Sequence, residues 1–330
     1  MRPDGSVASH HFEALGTSCS LFAGRQSRTR LLEGELWVRR LGARLTRFST
    51  DSELSRLNRS AGQWTAISDE MEVILRAALH AHEMSAGLVN AAVLPSMLAV
   101  GYTRPFAEGP TVATLDGARS LSPLPEVLEV RAGEARVHAG CGIDLGGIAK
   151  GWMADRLCEM LGPNAVANLG GDLRAVGPGP AGDGWPVGVA GVTLVLRDQA
   201  AATSSVRRRR WGEVHHLIDP RTGYPANTGL DEVSVVTASA FEAEVVAKTA
   251  LLLGPEFAPA YCAAHAMAWW LAGPDDYEQK LLPLYEEKLL PMQWGGGGEA
   301  AGGAGRGGAE ARIASTIRVP RDGRVAGGAR

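Results

Sequence analysis

A lysine close behind two adjacent glycines is the first feature of this chain that could do chemistry. Residues 144–151 read DLGGIAKG, within CGIDLGGIAKGWMADRLCEML. Gly146 and Gly147 fall where a strand gives way to a helix, so backbone N–H groups there can come close to a ligand. The N-terminus of the helix carries partial positive charge, Lys150 adds a full one, and Asp144 stands at the strand end. The arrangement suits an anion, although a tight turn with an exposed lysine accounts for it as well. It is neither GxxxxGK[ST] nor GxGxxG. A second glycine pair, Gly170 and Gly171 in NLGGDLRAVG, repeats the theme between two strands, where it reads either as a bend or as backbone approaching a ligand.

The stretch HHLIDPRTGYPA (215–226) is richer in reactive groups. Asp-Pro starts a turn and Thr-Gly continues it. His215, His216 and Asp219 share one strand end, where a histidine can act as general base and an aspartate can orient it. A surface turn with incidental histidines is the alternative. No third His or Cys follows at metal spacing, which argues against zinc. The run RRRRW (207–211) could grip phosphate but reads as a solvated loop, and no nucleic-acid-binding signature accompanies it.

These groups need elements to position them. The 330 residues are 45% apolar, enough for one large domain or two small ones with a buried core. A net charge of −3 gives no general pull toward nucleic acid or anionic membrane. No apolar run approaches the ~20 residues of a membrane helix. The four cysteines are scattered without CxxC spacing and read as buried thiols in a reducing compartment. Apolar spacing predicts helices over 28–46, 68–87, 147–162, 241–254 and 255–266. Strands are expected around Gly16-Thr17, over 126–146 about a glycine turn, over 165–177 on either side of the glycine pair, over 185–205, at 231–239 and at 266–273. Residues 49–62, STDSELSRLNRSAG, read as a loop or short cap. Strands and helices mix without steady alternation, which indicates an α+β fold. From Gly295 onward the chain turns to Gly, Ala and Arg and cannot bury enough surface to order itself.

In their order, LGTSCSLF, RFSTDSELSRLN, DLGGIAKGWMADRL, NLGGDLRAVG, TSS, HHLIDPRTGYPA and EAEVVAKTALLLG resemble the ApbE-like family, the FAD:protein FMN transferases, over about residues 10–275. The resemblance implies a single α+β domain at 10–290 with two lobes around a flavin cleft. A flexible N-terminus (1–9) would precede it and a disordered Gly-rich tail (291–330) would follow. It implies transfer of FMN from FAD to a threonine of a client flavoprotein through a phosphodiester bond, with release of AMP and support from Mg2+. Partners would be FAD and the client, with no nucleic acid and no transmembrane segment. By this match Asp144, Lys150 and His216 contact FAD, with His216 the candidate general base, and Leu15, Leu88, Val89 and Asn90 line the flavin cleft. Gly147 would offer its carbonyl to the metal.

Departures from the family pattern sharpen these expectations. A tyrosine usual after RFST is missing, and Asn90 replaces the usual aspartate. Counting back from Gly254 puts Glu244 at the metal-binding aspartate and Lys248 at the metal-binding threonine. Sliding by one residue would align Thr249 but turn the helix face by about 100°. A protonated lysine cannot ligate a metal. Lys248 is therefore expected to pair with Glu244 across one helical turn and stand in for the cation, an ordinary surface salt bridge being the alternative. These changes keep two other functions open, a non-catalytic FAD/FMN carrier and an FAD pyrophosphatase giving FMN and AMP. The start of the chain shows neither an apolar h-region nor a lipobox-like cysteine, so a cytoplasmic location is expected.

Overall fold

The computed structural model describes residues 7–281, apart from 25, 26, 61, 110, 114, 116–118, 275 and 276. The expected tail at 291–330 and residues 1–6 lie outside the described residues. The chain opens with β1 (Val7–Ala14), β2 (Thr17–Gly24), α1 (Arg28–Leu45), α2 (Glu53–Arg59), β3 (Thr65–Ala66) and α3 (Asp69–Met84). Next come α4 (Leu94–Ala99), α5 (Leu124–Val127), β4 (Leu128–Arg131), β5 (Glu134–Val137), α6 (Ala149–Leu161), β6 (Ala165–Leu169) and β7 (Asp172–Val176). They are followed by β8 (Trp185–Val189), β9 (Val192–Leu196), β10 (Gln199–Ser205), β11 (Arg210–Trp211), β12 (Val214–His215) and β13 (Glu232–Thr237). The last are α7 (Ala240–His265), β14 (Ala268–Ala272) and β15 (Glu278–Leu281).

An eight-stranded sheet in the order β1-β2-β6-β7-β10-β13-β14-β15 carries the molecule, and neighbouring strands are antiparallel throughout. Side chains alternate across it with the two-residue period of a strand. Ala202, Val233, Val235, Trp269 and Leu271 pack under α7, while Ala201, Val236, Ala268 and Trp270 pack on the opposite face with Trp185 and Leu196 of the β8–β9 hairpin. Helices α1 and α6 join β2 and β6 in a further core with α3. A smaller sheet, β3-β5-β4, sits beside α2 and α3. The α+β expectation holds, with a large and a small unit on either side of a cleft. Among the described residues no helix is long and apolar enough to cross a membrane.

Three local readings change. Strand β1 takes in Val7–Ser9, part of the stretch 1–9 expected to be flexible, because every one of its residues pairs with β2. The strand expected around Gly16-Thr17 is a hairpin instead, turning at Leu15 (φ 55°) and Gly16 (φ 67°). Residues 53–59 are helical rather than loop. Ser52 caps α2 by accepting the N–H of Ser55 at 3.0 Å, and Leu54 and Leu57 are buried on one face. Glu53, also buried, accepts from the N–H and hydroxyl of Ser68, the N-cap of α3, and pairs with Arg44 at 3.0 Å. The helices expected at 241–254 and 255–266 are both present: the backbone leaves the helical region at Gly254 (φ 77°), so the span α7 is two helices meeting at that residue, the second opening at Pro255.

Candidate active site

The glycine pair at 170–171 forms a two-residue hairpin between β6 and β7, with Leu169 opposite Asp172. Both glycines have positive φ, 71° and 105°, as such a turn requires. A Cβ on Gly170 would lie 2.3 Å from the Thr17 hydroxyl, so the turn is seated against the start of β2. The hairpin delivers Asp172, 3% exposed, to the floor of the cleft. Across from it α6 begins, and α7 passes close by: a Cβ on Gly151 would lie 2.3 Å from the carbonyl oxygen of Ala240. Asp155 of α6 fixes the crossing by accepting the N–H groups of Ala240 and Phe241, both at 2.9 Å. Glu244 and Lys248 of α7 are thereby brought to the first turn of α6 and the DLGG loop.

A cavity of about 790 Å³ lies at this junction, lined by every residue expected at the site: Leu15, Leu88, Val89, Asn90, Asp144, Gly147, Lys150, His216, Glu244 and Lys248. Its floor is a chain of charges. Lys150 Nζ donates to Asp172 and, at 3.0 Å, to Glu244 Oε1, and the other Glu244 oxygen accepts the N–H of Gly151 at 2.9 Å. Lys248 Nζ lies 2.5 Å from the carbonyl oxygen of Gly147 and 3.7 Å from Glu244 Oε1. Glu244 is 3% exposed and Lys248 15%, so this pair is not a surface salt bridge. Thr249 faces elsewhere, donating to the carbonyl of Val245 at 2.8 Å, and of the three it is Glu244 and Lys248 that line the cavity.

Burial would lower Lys150, but Asp172 and Glu244 outweigh it and hold the ammonium above the usual lysine range. Burial raises Asp172 to about 6 against the pull of Lys150. It also raises Glu244, but Lys150, Lys248 and the Gly151 N–H together bring that carboxyl below its usual range. His216 is pushed well below the usual histidine range, by burial first and then by Arg209 and the neighbouring His215 and lysines. Its Nδ1 is buried without a hydrogen-bond partner.

Leu217 and Ile218 of the HHLIDP turn also line the cavity, whereas His215 and Asp219 do not. His215 is tied to backbone, its Nε2 to the carbonyl of Ala226 at 2.9 Å and its Nδ1 accepting from Leu217. Asp219 binds Arg221 through both oxygens, so it does not orient His216. Asn90 spends its amide on structure, capping the turn at Ala91–Val93 and donating to the carbonyl of Ser122 at 2.9 Å.

The residues expected to hold a divalent ion do not fit one. The Gly147 carbonyl already receives an ammonium, and Glu244 already faces two of them. Among the described residues no group of three His, Cys, Asp or Glu side chains could hold a metal.

The ApbE family model matches residues 15–270. The chain belongs to the ApbE family. A FAD:protein FMN transferase of Treponema pallidum is 30% identical over 243 residues, covering 62% of this chain and 66% of that protein, just under two thirds of its length. A FAD:protein FMN transferase of Vibrio cholerae is 24% identical over 251 residues, covering 70% and 75% of the two chains. The solved ApbE protein of Thermotoga maritima superposes with a TM-score of 0.74 at 22% identity, over 83% of this chain and 97% of that one, which shows the shared fold.

In this ApbE chain several cavity residues escape sequence reasoning. Arg47 is 5% exposed, with Nε 2.6 Å from Asp144 and one amino group without a partner. Its guanidinium lies 4.3 Å from the Phe48 ring centre and 4.7 Å from that of Tyr102. RF stands inside the RFST motif, but nothing local announces a partner 97 positions away. Tyr102 packs on Phe48 and Trp211, giving the cavity an aromatic wall although the usual tyrosine after RFST is absent. Arg208 and Arg209 line the cavity rather than a purely solvated loop. Trp211 anchors that run through its indole N–H to the carbonyl of Val100 at 2.9 Å, and Arg208 donates to the carbonyl of Gly170.

Proposed function

We propose that this protein transfers FMN from FAD to a threonine hydroxyl of a client flavoprotein, forming a phosphodiester and releasing AMP. The observation that carries this reading is the convergence of both glycine turns, two lysines and an unpartnered imidazole on one cavity, in a chain of the ApbE family. The threonine oxygen attacks the FMN phosphorus, the bond to the AMP phosphate breaks, and the hydroxyl proton passes to His216. Burial keeps that imidazole neutral, the form able to accept a proton. Such transfer at phosphorus depends chiefly on positioning and on neutralising charge. Lys150 and Lys248 sit at the cavity floor for that purpose, with Arg208 and Arg209 at the rim. Leu15, Leu88 and Val89 offer apolar surface to the flavin, and Phe48 and Tyr102 offer ring faces. No step is assigned to a divalent ion, because the residues present do not accommodate one.

The test is incubation with FAD and a client protein bearing an acceptor threonine. Flavin fluorescence that stays with the denatured client, together with stoichiometric AMP, is expected. Free FMN and AMP with an unmodified client would mark a pyrophosphatase. Retained FAD with no AMP would mark a carrier.

A further inference from the structure

The cavity floor sets two ammonium groups against two carboxylates, but the pairing between them is uneven. Lys150 alone bridges Asp172 and Glu244. Lys248 is then a second ammonium beside an acid already paired, and its nearest oxygen is a neutral carbonyl, that of Gly147 at 2.5 Å. That carbonyl is the one the family resemblance assigns to a divalent cation. Gly147 also lies against the lysine stem: a Cβ there would be in ordinary contact with Lys248, 3.4 Å from Cε and 3.5 Å from Nζ.

We infer that Lys248 is a built-in cation that takes the place of the divalent metal, so that this chain binds the FAD pyrophosphate and transfers FMN without a metal ion. The inference rests on the FAD reading above. A lysine ammonium has three donors. Lys248 directs one to Gly147 and one toward Glu244, and Lys150 spends two on Asp172 and Glu244. Each therefore keeps one N–H for ligand oxygens, and both line the cavity. Two carboxylates against two ammonium groups leave the empty floor neutral, so nothing there calls for a further cation. A dication added beside Gly147 would meet the ammonium head-on, and opposite charges of the site are already spent.

The experiment uses the intact chain and two readouts that do not depend on turnover: FAD affinity by calorimetry, and Mn2+ binding by electron paramagnetic resonance. Wild type is expected to bind FAD equally well in EDTA and in magnesium, and to bind no Mn2+ with or without FAD. Lys248→Thr frees the Gly147 carbonyl and adds a hydroxyl. It is expected to lose about tenfold or more in FAD affinity in EDTA, to recover affinity with Mg2+, and to bind one Mn2+. Lys248→Met, which keeps the stem and removes the charge, is expected to lose the same affinity, and circular dichroism separates this from misfolding. Wild-type FAD binding that collapses in EDTA, or stoichiometric Mn2+ on wild type, overturns the assignment. If wild type binds no FAD under either condition, the FAD reading falls, and Mn2+ bound by Lys248→Thr but not by wild type still supports the lysine's role.

Discussion

Lys150→Met removes the ammonium that joins Asp172 to Glu244 and leaves everything else in place. Both acids are almost fully buried, with side chains 5% and 3% exposed, and Lys150 itself is 18% exposed. An exposed ion pair would contribute at most about 1 kcal/mol. Stripping one partner from a buried pair costs about 3–5 kcal/mol, here because Asp172 is left with neither water nor a counter-ion while Glu244 keeps Lys248 at 3.7 Å. At about 2–4 °C per kcal/mol for a chain of this size, Tm should fall by roughly 6–20 °C. The loss should also depend on pH in a definite direction. Burial raises folded Asp172 to about 6, and losing Lys150 raises it further. As pH falls through that value the folded acid takes up a proton that the unfolded acid, with a pKa near ~3.9, does not yet bind. Proton uptake then favours the folded state, so the variant's deficit shrinks on acidification and is full above the folded pKa. Urea unfolding of wild type and Lys150→Met at about pH 8 and about pH 5.5 measures both effects. A deficit under about 1 kcal/mol, or one of equal size at the two pH values, would refute the buried-charge argument.

Gly151→Ala places a methyl 2.3 Å from the Ala240 carbonyl oxygen and 3.1 Å from Glu244 Cβ. It should cost about 1–3 kcal/mol and weaken FAD binding, although no ligand-contacting group is removed; unchanged melting and affinity would contradict the close crossing of α6 and α7. His216→Gln should slow transfer by about 10²–10⁴ while leaving FAD affinity near wild type, and a single-turnover assay on a client separates the two. The same histidine makes wild-type stability decline as pH falls below about 6.5, because the unfolded imidazole takes a proton that the folded one refuses; the glutamine variant should lose that part of the slope. Arg47→Leu strips Asp144 of its partner at 2.6 Å and removes the cation from between Phe48 and Tyr102. FAD titration should show about tenfold or more weakening that Arg47→Lys does not restore, since an ammonium cannot stack as a planar guanidinium does.

Much of the site is legible in the sequence because its parts carry local signatures. The glycine pair between two apolar strands at 170–171 marks a turn, and helix α6 declares its buried face through spacing. What pairs with what is less legible. Asp172 closes the NLGGD motif, yet only the β6–β7 register shows that it reaches Lys150. Asp219 follows the histidines closely enough to suggest a dyad, but Arg221, two residues on, takes both its oxygens. The arginine run looks solvated until Trp211 is seen to tie it to residue 100. Helix α2 was hidden because its capping serine and its buried Glu53 make it look polar. The run beyond Gly254 reads as a new helix because a glycine with Pro255 behind it ends the one before, and the non-helical backbone at Gly254 bears that out.

The crossing at Gly151 has a consequence for how a ligand enters. Where backbone rests directly on backbone there is no side chain to rotate aside, so the floor has no slack. A molecule as long as a dinucleotide has to be admitted at the other rim. There Phe48, Tyr102, Phe106 and Trp211 meet through ring contacts, with the Arg47 guanidinium between the first two and one indole hydrogen bond to residue 100. The two walls are thus built differently, backbone against backbone at the lysines and ring against ring at the far rim.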